Sequence, residues 1–224
     1  MDNLDFTKEE KSIVIVYTAI SRIYWLSKVY IHINQSTSSI VDPARVESAN
    51  KTIDMNSKEV VDIYNTLEQL GIKVWIDGGW SVDALLEEQT REHQDLDIAI
   101  NQKDVASFLR FLEKEGYKEV RKDSEYNLVF EATFGQQIDM HAFISDKSGN
   151  VVGGIEYPTQ SLTGSGTING NMVRCISPKY MIEFLAPWVS KHPHKYLIAI
   201  SALCKKFDIE CPQEYIDFTK NSVG

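Results

Sequence analysis

Residues 74–100 read VWIDGGWSVDALLEEQTREHQDLDIAI, and this stretch decides how the chain is expected to fold. It begins with a short hydrophobic strand and turns at Gly78-Gly79 into a segment with helical propensity. It ends in a second strand that carries Asp95 and Asp97. In this second strand, apolar residues alternate with the two acids, which is the period of a strand with two different faces. Both carboxylates are therefore expected on the same face.

Two carboxylates side by side in a hydrophobic strand require a partner of opposite charge. Residues two apart in a strand lie about 6.5 to 7 Å from each other. Burying two like charges at that spacing is costly unless one takes up a proton or a cation binds both. Mg²⁺ prefers oxygen ligands and is commonly held by carboxylates together with substrate phosphates. The acidic strand therefore predicts a magnesium site that works with a nucleotide.

A third acid and a glycine turn complete the predicted site. Asp139 lies in the strand QIDMHAFI, where Ile138 and Met140 are expected to face the core. Gly78-Gly79 lets the backbone approach a ligand closely, and the helix that follows presents free N–H groups to phosphate. Ser81 adds a hydroxyl close to that helix start.

Helices and strands alternate along the rest of the chain. A capping box at Asn56 and Glu59 opens a helix that stops at Gly71. Further helices are predicted over residues 80–88, 104–115, 179–186 and 196–207, the last two separated by Pro187. Further strands are predicted over residues 73–76, 117–122, 127–133 and 137–144, and in NMVRCI, while SDKSGN and TGSGTING are typical of turns.

The predicted fold is α+β, a mixed sheet with flanking helices. We expect an N-terminal helical extension and linker over residues 1–56, a core over residues 57–160, and a C-terminal strand and helical region over residues 161–224. The apolar segment Ile13–Ile33 contains Arg22 and Lys28, which argues against a membrane span. It favours a helix packed either on the core or on a second subunit, and the second arrangement would make the protein a homodimer.

A glycine pair, a D-x-D strand and a distal aspartate, in that order, resemble the nucleotidyltransferases of the DNA polymerase β superfamily. The similarity is greatest to the lincosamide nucleotidyltransferases and aminoglycoside 2''-adenylyltransferases, and it spans about residues 57–216. The segments YPTQSLTGSGTING, VRCISP and ALCKKFDIECPQEY extend it. The chain departs from the family pattern at YLIAIS and at Glu87-Glu88, and both departures concern the acceptor more than the chemistry.

This resemblance implies a polymerase β-like fold and transfer of a nucleoside monophosphate, usually AMP from ATP, to a hydroxyl of a small molecule such as a lincosamide or an aminoglycoside. Asp95 and Asp97 would hold Mg²⁺. Asp139 would lie beside the acceptor hydroxyl as general base, as a ligand of a second metal, or as both. Positioning and metal charge would then supply most of the catalysis.

Three residues near the acids are given supporting roles on the same grounds. Arg91 would contact the triphosphate, although an ion pair with Glu92 or with Glu87-Glu88 explains it equally well. His93 and His141 would orient the residues that bind metal and substrate, and His141 is also explained as a local hydrogen-bonding residue.

The acids and the glycines also have purely structural explanations. Asp95 and Asp97 are consistent with a solvated edge-strand face, and Asp139 with a surface acid near a turn. Gly78-Gly79, taken alone, indicates no more than a tight turn. The order of the motifs favours the nucleotidyltransferase over these explanations.

Composition limits the partners. A net charge of -9 argues against a protein that holds DNA by its phosphates. Three cysteines without metal-binding spacing indicate a reducing, cytoplasmic setting, and no membrane partner is expected. Two alternatives stay open: a nucleotidyltransferase that modifies a protein or tRNA, and a non-catalytic dimeric interaction protein that keeps the fold.

Overall fold

The structure is a computed structural model, and it describes residues 54–221 of the 224-residue chain. The expected helix over residues 13–33, and the dimer contact assigned to it, lie outside the described residues. The first described residues already join the fold, because Met55 pairs with His93 in an isolated antiparallel bridge.

Within the described residues there are six α-helices and eight strands. The helices are α1 (Ser57–Gln69), α2 (Gly78–Leu86), α3 (Gln102–Lys114), α4 (Pro178–Leu185), α5 (Pro193–Phe207) and α6 (Gln213–Asn221). The strands are β1 (Val74–Ile76), β2 (Asp95–Asn101), β3 (Lys118–Ser124), β4 (Asn127–Glu131), β5 (Gln137–Ser145), β6 (Val151–Gly154), β7 (Gly164–Ile168) and β8 (Asn171–Cys175). Short 3₁₀ helices span Thr159–Thr163 and Ala186–Trp188.

All eight strands belong to one mixed sheet, which confirms the predicted α+β class. Seven of them follow the order β3-β4-β5-β2-β1-β8-β7, and β6 pairs with β5. The pairs β2–β5 and β1–β8 are parallel, whereas the other pairs are antiparallel. The parallel pair β2–β5 lies at the middle of the sheet and carries the acids singled out in the sequence.

Burial along β2 and α1 follows the sequence pattern. Leu96, Ile98 and Ile100 are at most 1% exposed, as expected for the core face of β2. The predicted capping box at the start of α1 is present: the side chain of Asn56 accepts from the Glu59 amide, and the Glu59 side chain accepts from the Asn56 amide. This cap satisfies two N–H groups that the helix itself leaves unpaired.

Residues 164–168 form strand β7 rather than the turns that the glycines in TGSGTING suggested. Gly166 lies so close to the backbone of α2 that a Cβ there would overlap the Ala84 carbonyl. Gly164 is equally close to the backbone at Cys175 and Ile176. The glycines therefore permit close packing of a helix and a neighbouring strand on β7, which is one of their uses inside strands.

The C-terminal part of the described chain completes the sheet and adds a helical layer. Strands β7 and β8 extend the same sheet as the residues before position 160, because Ile76 of β1 pairs with Cys175 of β8. Pro187 interrupts the helices as predicted, within the 3₁₀ turn that separates α4 from α5. No helix in residues 54–221 has the length and hydrophobicity to cross a membrane.

Candidate active site

The acids of the two central strands meet because β2 and β5 run parallel and in register. Asp97 pairs directly with Asp139, and both side chains are on the same face. Ligand atoms of Asp97, Asp139 and His141 all lie within 4.8 Å of one another. Asp95 starts β2 and lines the same cleft, although it is outside this tightest group. The predicted convergence of the three aspartates on one face is therefore present.

The electrostatic effect of this arrangement is seen in the pKa of Asp97. Burial, followed by the charges of Asp95 and Asp77, raises its pKa from 3.8 to about 7. So high a pKa means that the fold buries this carboxyl beside other carboxylates without enough positive charge to offset them. Oxygen donors gathered in this way fit a hard divalent cation such as Mg²⁺. The donor set therefore supports the predicted metal site.

His141 lies between two carboxylates. Its Nε2 atom is 3.3 Å from Oδ1 of Asp139, and its Nδ1 atom is 3.6 Å from Oδ2 of Asp77. Burial alone would lower the pKa of His141, but the hydrogen bonds and charges of Asp139 and Asp77 raise it to about 10. In the absence of metal, His141 is thus a cation that offsets part of the negative charge.

Residues of the β3–β4 hairpin hold Asp139 from the other side. Nδ2 of Asn127 donates to its Oδ1 at 2.5 Å, and Nη2 of Arg121 donates to its Oδ2 at 3.2 Å. Arg121 also pairs with Asp123 outside the acid cluster, at 2.8 Å. Both carboxylate oxygens of Asp139 therefore have donors, which fixes the orientation of the carboxylate.

The glycine turn is built against the acids. Asp77 caps α2, since its Oδ1 accepts from the Gly78 amide at 2.7 Å. Gly78 has a φ of 56°, and a Cβ at this position would overlap the carboxylate of Asp97. A Cβ at Gly79 would overlap the side chains of His93 and Arg91. The glycine pair is thus required by the contacts of the site and does more than make a turn.

Replacing Gly78 by alanine should remove activity, because the new methyl group takes the space of the Asp97 carboxylate. Gly116→Ala is the matched control: Gly116 also has a positive φ, of 83°, but a Cβ there meets nothing within 4 Å. Both variants should lose about 1 to 2 kcal/mol of stability from the left-handed backbone. Only Gly78→Ala should lose the nucleotide transfer that the sequence predicts. Equal activity of the two variants would contradict this expectation.

A buried histidine–aspartate pair packs beside the glycine turn. Nε2 of His93 is 2.5 Å from Oδ2 of Asp83, and His93 is 1% exposed. The other oxygen of Asp83 accepts from the amide and the hydroxyl of Thr90. The ring of His93 packs on Trp80 with centroids 4.5 Å apart. His93 therefore lies directly beside Gly79, and its orienting role stays a prediction.

Arg91 and Ser81 have different positions. Arg91 lines the cleft next to Gly79 and donates to the carbonyl of Glu92 at 2.8 Å. It forms no ion pair with Glu87, Glu88 or Glu92 in the described part of the chain, where Glu87 pairs with Lys206 instead. Ser81, by contrast, is completely buried, and Val82 lines the cleft instead. The hydroxyl of Ser81 is therefore out of reach of a phosphate in the cleft.

The cleft above the acids has a volume of about 540 Å³ and two different walls. The sheet side carries the acids, the glycine pair, Arg91 and His141. The opposite side comes from α4, the turn after it and α5, and it presents these residues: Met181, Phe184, Leu185, Trp188, His194, Lys195, Tyr196, Ile198 and Ala199. A charged part of the cleft thus adjoins a mostly apolar part, which suits a highly charged ligand bound next to a more apolar one.

Three site residues were not singled out from the sequence. Asp77 precedes the glycine pair and so belongs to the motif, but its cap and its contact with His141 depend on the fold. Asn127 has the parity of a side chain facing Asp139, yet only the β4–β5 pairing shows this. Tyr157 lies in a loop, and no local signal connects it with Asp77 or with His141 of β5.

The sequence of this chain is similar to those of known proteins. Residues 59–195 match the sequence profile of the aminoglycoside-2''-adenylyltransferase family. A lincosamide resistance protein of Staphylococcus haemolyticus is 37% identical over 68 residues, which cover 30% of this chain and 42% of that protein. A 2''-aminoglycoside nucleotidyltransferase of Escherichia coli is 27% identical over 165 residues, which cover 66% of this chain and 90% of that protein.

The fold has a solved counterpart of the same kind. The crystal structure of the lincosamide antibiotic adenylyltransferase LnuA, with lincomycin bound, superposes with a TM-score of 0.59. The aligned part covers 67% of this chain and 98% of that chain, at 22% identity. This likeness identifies the fold.

Fold and sequence together define a nucleotidyltransferase, as predicted, and they favour it over a non-catalytic protein with the same fold. Since the family profile covers more than half of the residues, the chain belongs to the aminoglycoside-2''-adenylyltransferase family.

Proposed function

We propose that this protein transfers AMP from ATP to a hydroxyl group of a small antibiotic-like acceptor in the cytoplasm, with Mg²⁺ as cofactor. The observation that carries the proposal is the meeting of Asp97 and Asp139 on paired parallel strands beneath the glycine turn of α2. The family match supports the reaction class.

Each residue of the sheet wall has a place in this reaction. Asp95 and Asp97, together with Asp139, would hold Mg²⁺, which when bound neutralises triphosphate charge and orients the α-phosphate. The amides at the start of α2 would bind phosphate oxygens, as helix N-termini do. Arg91 would add a positive charge at the same place.

The transfer itself requires one bond to form and one to break. The acceptor oxygen attacks the α-phosphorus, the bond to the bridging oxygen breaks, and pyrophosphate leaves. Asp139 takes the proton of the acceptor hydroxyl. Its carboxylate is suited to this role because Asn127 and Arg121 fix its direction while its side chain is still 14% exposed to the cleft.

The helical wall favours a particular kind of acceptor. Phe184, Trp188 and Ile198 give it an apolar surface, and the described residues between 181 and 199 that line it include no carboxylate. Glu156 also lines the cleft and offers one negative charge, whereas Lys195 of the wall offers a positive charge. A molecule with an apolar portion and a single ammonium group matches this surface better than a polycationic one. We therefore propose a lincosamide-like acceptor rather than an aminoglycoside.

Product labelling tests both the transfer reaction and the class of acceptor. The full-length protein is incubated with Mg²⁺, α-labelled ATP and either lincomycin, tobramycin or a bacterial cell extract. We expect labelled lincomycin with stoichiometric pyrophosphate, much less labelled tobramycin, and no product when EDTA is present. Preferred labelling of tobramycin would overturn the acceptor class. Label in protein or tRNA of the extract would instead favour a macromolecular acceptor, and no Mg²⁺-dependent label at all would overturn the transferase.

A further inference from the structure

Tyr157 connects three parts of the site that are distant in sequence. Its hydroxyl donates to Oδ2 of Asp77 at 2.5 Å. The same hydroxyl oxygen lies 3.1 Å from Nδ1 of His141. Asp77 caps the glycine helix and His141 contacts Asp139, so one phenol group touches both the phosphate-binding turn and the strand of the third acid.

The direction of these hydrogen bonds follows from their chemistry. The carboxylate of Asp77 accepts only, so the single phenol proton of Tyr157 is committed to it. The phenol oxygen then accepts from Nδ1–H of His141, which directs Nε2 of the ring to Asp139. His141 is held at both ends, and its ring cannot rotate without breaking one of the two contacts.

The backbone delivers Tyr157 to this place with little freedom. Gly154 has a φ of 77° and pairs with Phe143 of β5, and a Cβ there would overlap the backbone at Ala142 and Phe143, so only glycine lets the chain run so close to β5. The amide of Ile155 then donates to the Ala142 carbonyl at 2.8 Å. Tyr157 itself is 6% exposed.

The ring of Tyr157 also meets the apolar wall of the cleft. It packs edge-on against Phe143 of β5 and Phe184 of α4, with centroids 6.2 and 6.0 Å apart. These contacts involve the ring and leave the hydroxyl free for Asp77 and His141. Substitution with phenylalanine therefore removes the hydrogen bonds of the hydroxyl while it keeps the contacts of the ring.

We propose that Tyr157 is a positioning residue of the transfer reaction: its hydroxyl keeps the glycine turn and the carboxylate of Asp139 in the relative geometry that in-line attack needs. The expected effect on kcat rests on the proposed function, whereas the expected effect on the hydrogen bond of His141 does not. A displacement of about 1 Å at a reacting group can cost 10²-fold in rate.

Tyr157→Phe tests the role of the hydroxyl, and Tyr64→Phe is its matched control. Tyr64 is 5% exposed, and its hydroxyl accepts from the Arg174 amide at 3.0 Å, on residues that do not line the cleft. We expect Tyr157→Phe to lower kcat by about 10- to 100-fold with little change in the KM for ATP. Tyr64→Phe should keep the wild-type kcat. Equal kcat for the two variants would overturn the proposal, as would a loss confined to KM.

A double variant separates positioning from a general structural effect. Asp77→Asn keeps an oxygen to cap Gly78 but removes the charge that Tyr157 binds. If both residues act through one network, Asp77→Asn/Tyr157→Phe should be no slower than the slower single variant. Multiplicative losses would show independent effects and would overturn the shared role.

A spectroscopic measurement does not depend on any acceptor. In wild-type protein, the Nδ1 proton of His141 should give an NMR signal protected from exchange, and Tyr157→Phe should lose this protection while Tyr64→Phe keeps it. An unprotected proton in wild type overturns the proposal even if Tyr157→Phe does not fold. A wild-type protein that shows the protected proton but transfers no nucleotide would instead overturn the proposed function.

Discussion

Replacing Asp139 by asparagine should lower the rate of nucleotide transfer by about 10²- to 10⁴-fold, the usual contribution of a positioned general base. Asparagine keeps the shape of the side chain and an oxygen that accepts from Asn127, but it cannot take the proton of the acceptor hydroxyl. The affinity for ATP should change much less than the rate, since Asp95 and Asp97 still hold Mg²⁺ and the phosphates are expected at the glycine turn. Steady-state rates and calorimetric titration with a non-hydrolysable ATP analogue measure the two quantities.

Asp123→Asn provides the control for this variant. Asp123 is the other carboxylate partner of Arg121, at 2.8 Å, and it does not line the cleft. Its replacement removes one of the two carboxylate partners of Arg121 and leaves every carboxylate of the acid cluster in place, so the rate should stay close to that of wild type. A similar loss in both variants would assign the effect to Arg121 and would contradict the base role of Asp139.

Asp97→Asn should abolish transfer and at the same time stabilise the metal-free protein. A catalytic metal contributes several kcal/mol to the transition state, and 1.36 kcal/mol corresponds to a factor of ten, so the rate should fall by about 10²-fold or more. The substitution also removes a buried charge that Asp95 and Asp77 repel. Each kcal/mol gained should raise Tm by about 2 to 4 °C in a chain of this size.

The pH dependence of that Tm difference has a definite sign. The pKa of Asp97 is about 7 in the fold and 3.8 ordinarily, so the cost of its charge appears as the pH rises from about 4 to about 7. Thermal melts without metal should therefore show a small difference at pH 4 and a full one above pH 7. Adding Mg²⁺ should raise Tm of the wild type more than that of the variant. A Tm difference that is independent of pH would contradict the charge-repulsion account.

The acid cluster could be predicted because its determinants are local. Alternation along β2 and β5 determines which side chains share a face. The order of the motifs indicated that the strand with Asp139 belongs to the same site as the strand with Asp95 and Asp97. The glycine pair was predicted as a phosphate turn, and the structure adds that the Asp97 carboxylate fills the space beside Gly78. Here pattern and chemistry pointed to the same residues.

Other features depended on distant contacts that a pattern does not contain. Tyr157 and Asp77 are 80 residues apart, and the pairing of β6 with β5, with Gly154 close against β5, brings them together. The glycines of β7 suggested turns because nothing local indicates that α2 packs on them. Ser81 was placed near phosphate by its position in the chain, yet each residue of a helix is rotated by about 100° from the last, and that rotation turns it into the core.

The two walls of the cleft come from different parts of the chain, and this division separates chemistry from selectivity. The distance between Asp97 and Asp139 is set by the main-chain ladder of two central strands, which substitutions on α4 and α5 do not touch. Trp188 and Ile198 are 46% and 68% exposed, so substitutions at these positions should change the free energy of unfolding little. A library randomised at these two sites should yield enzymes with new acceptors and an unaltered requirement for metal and nucleotide.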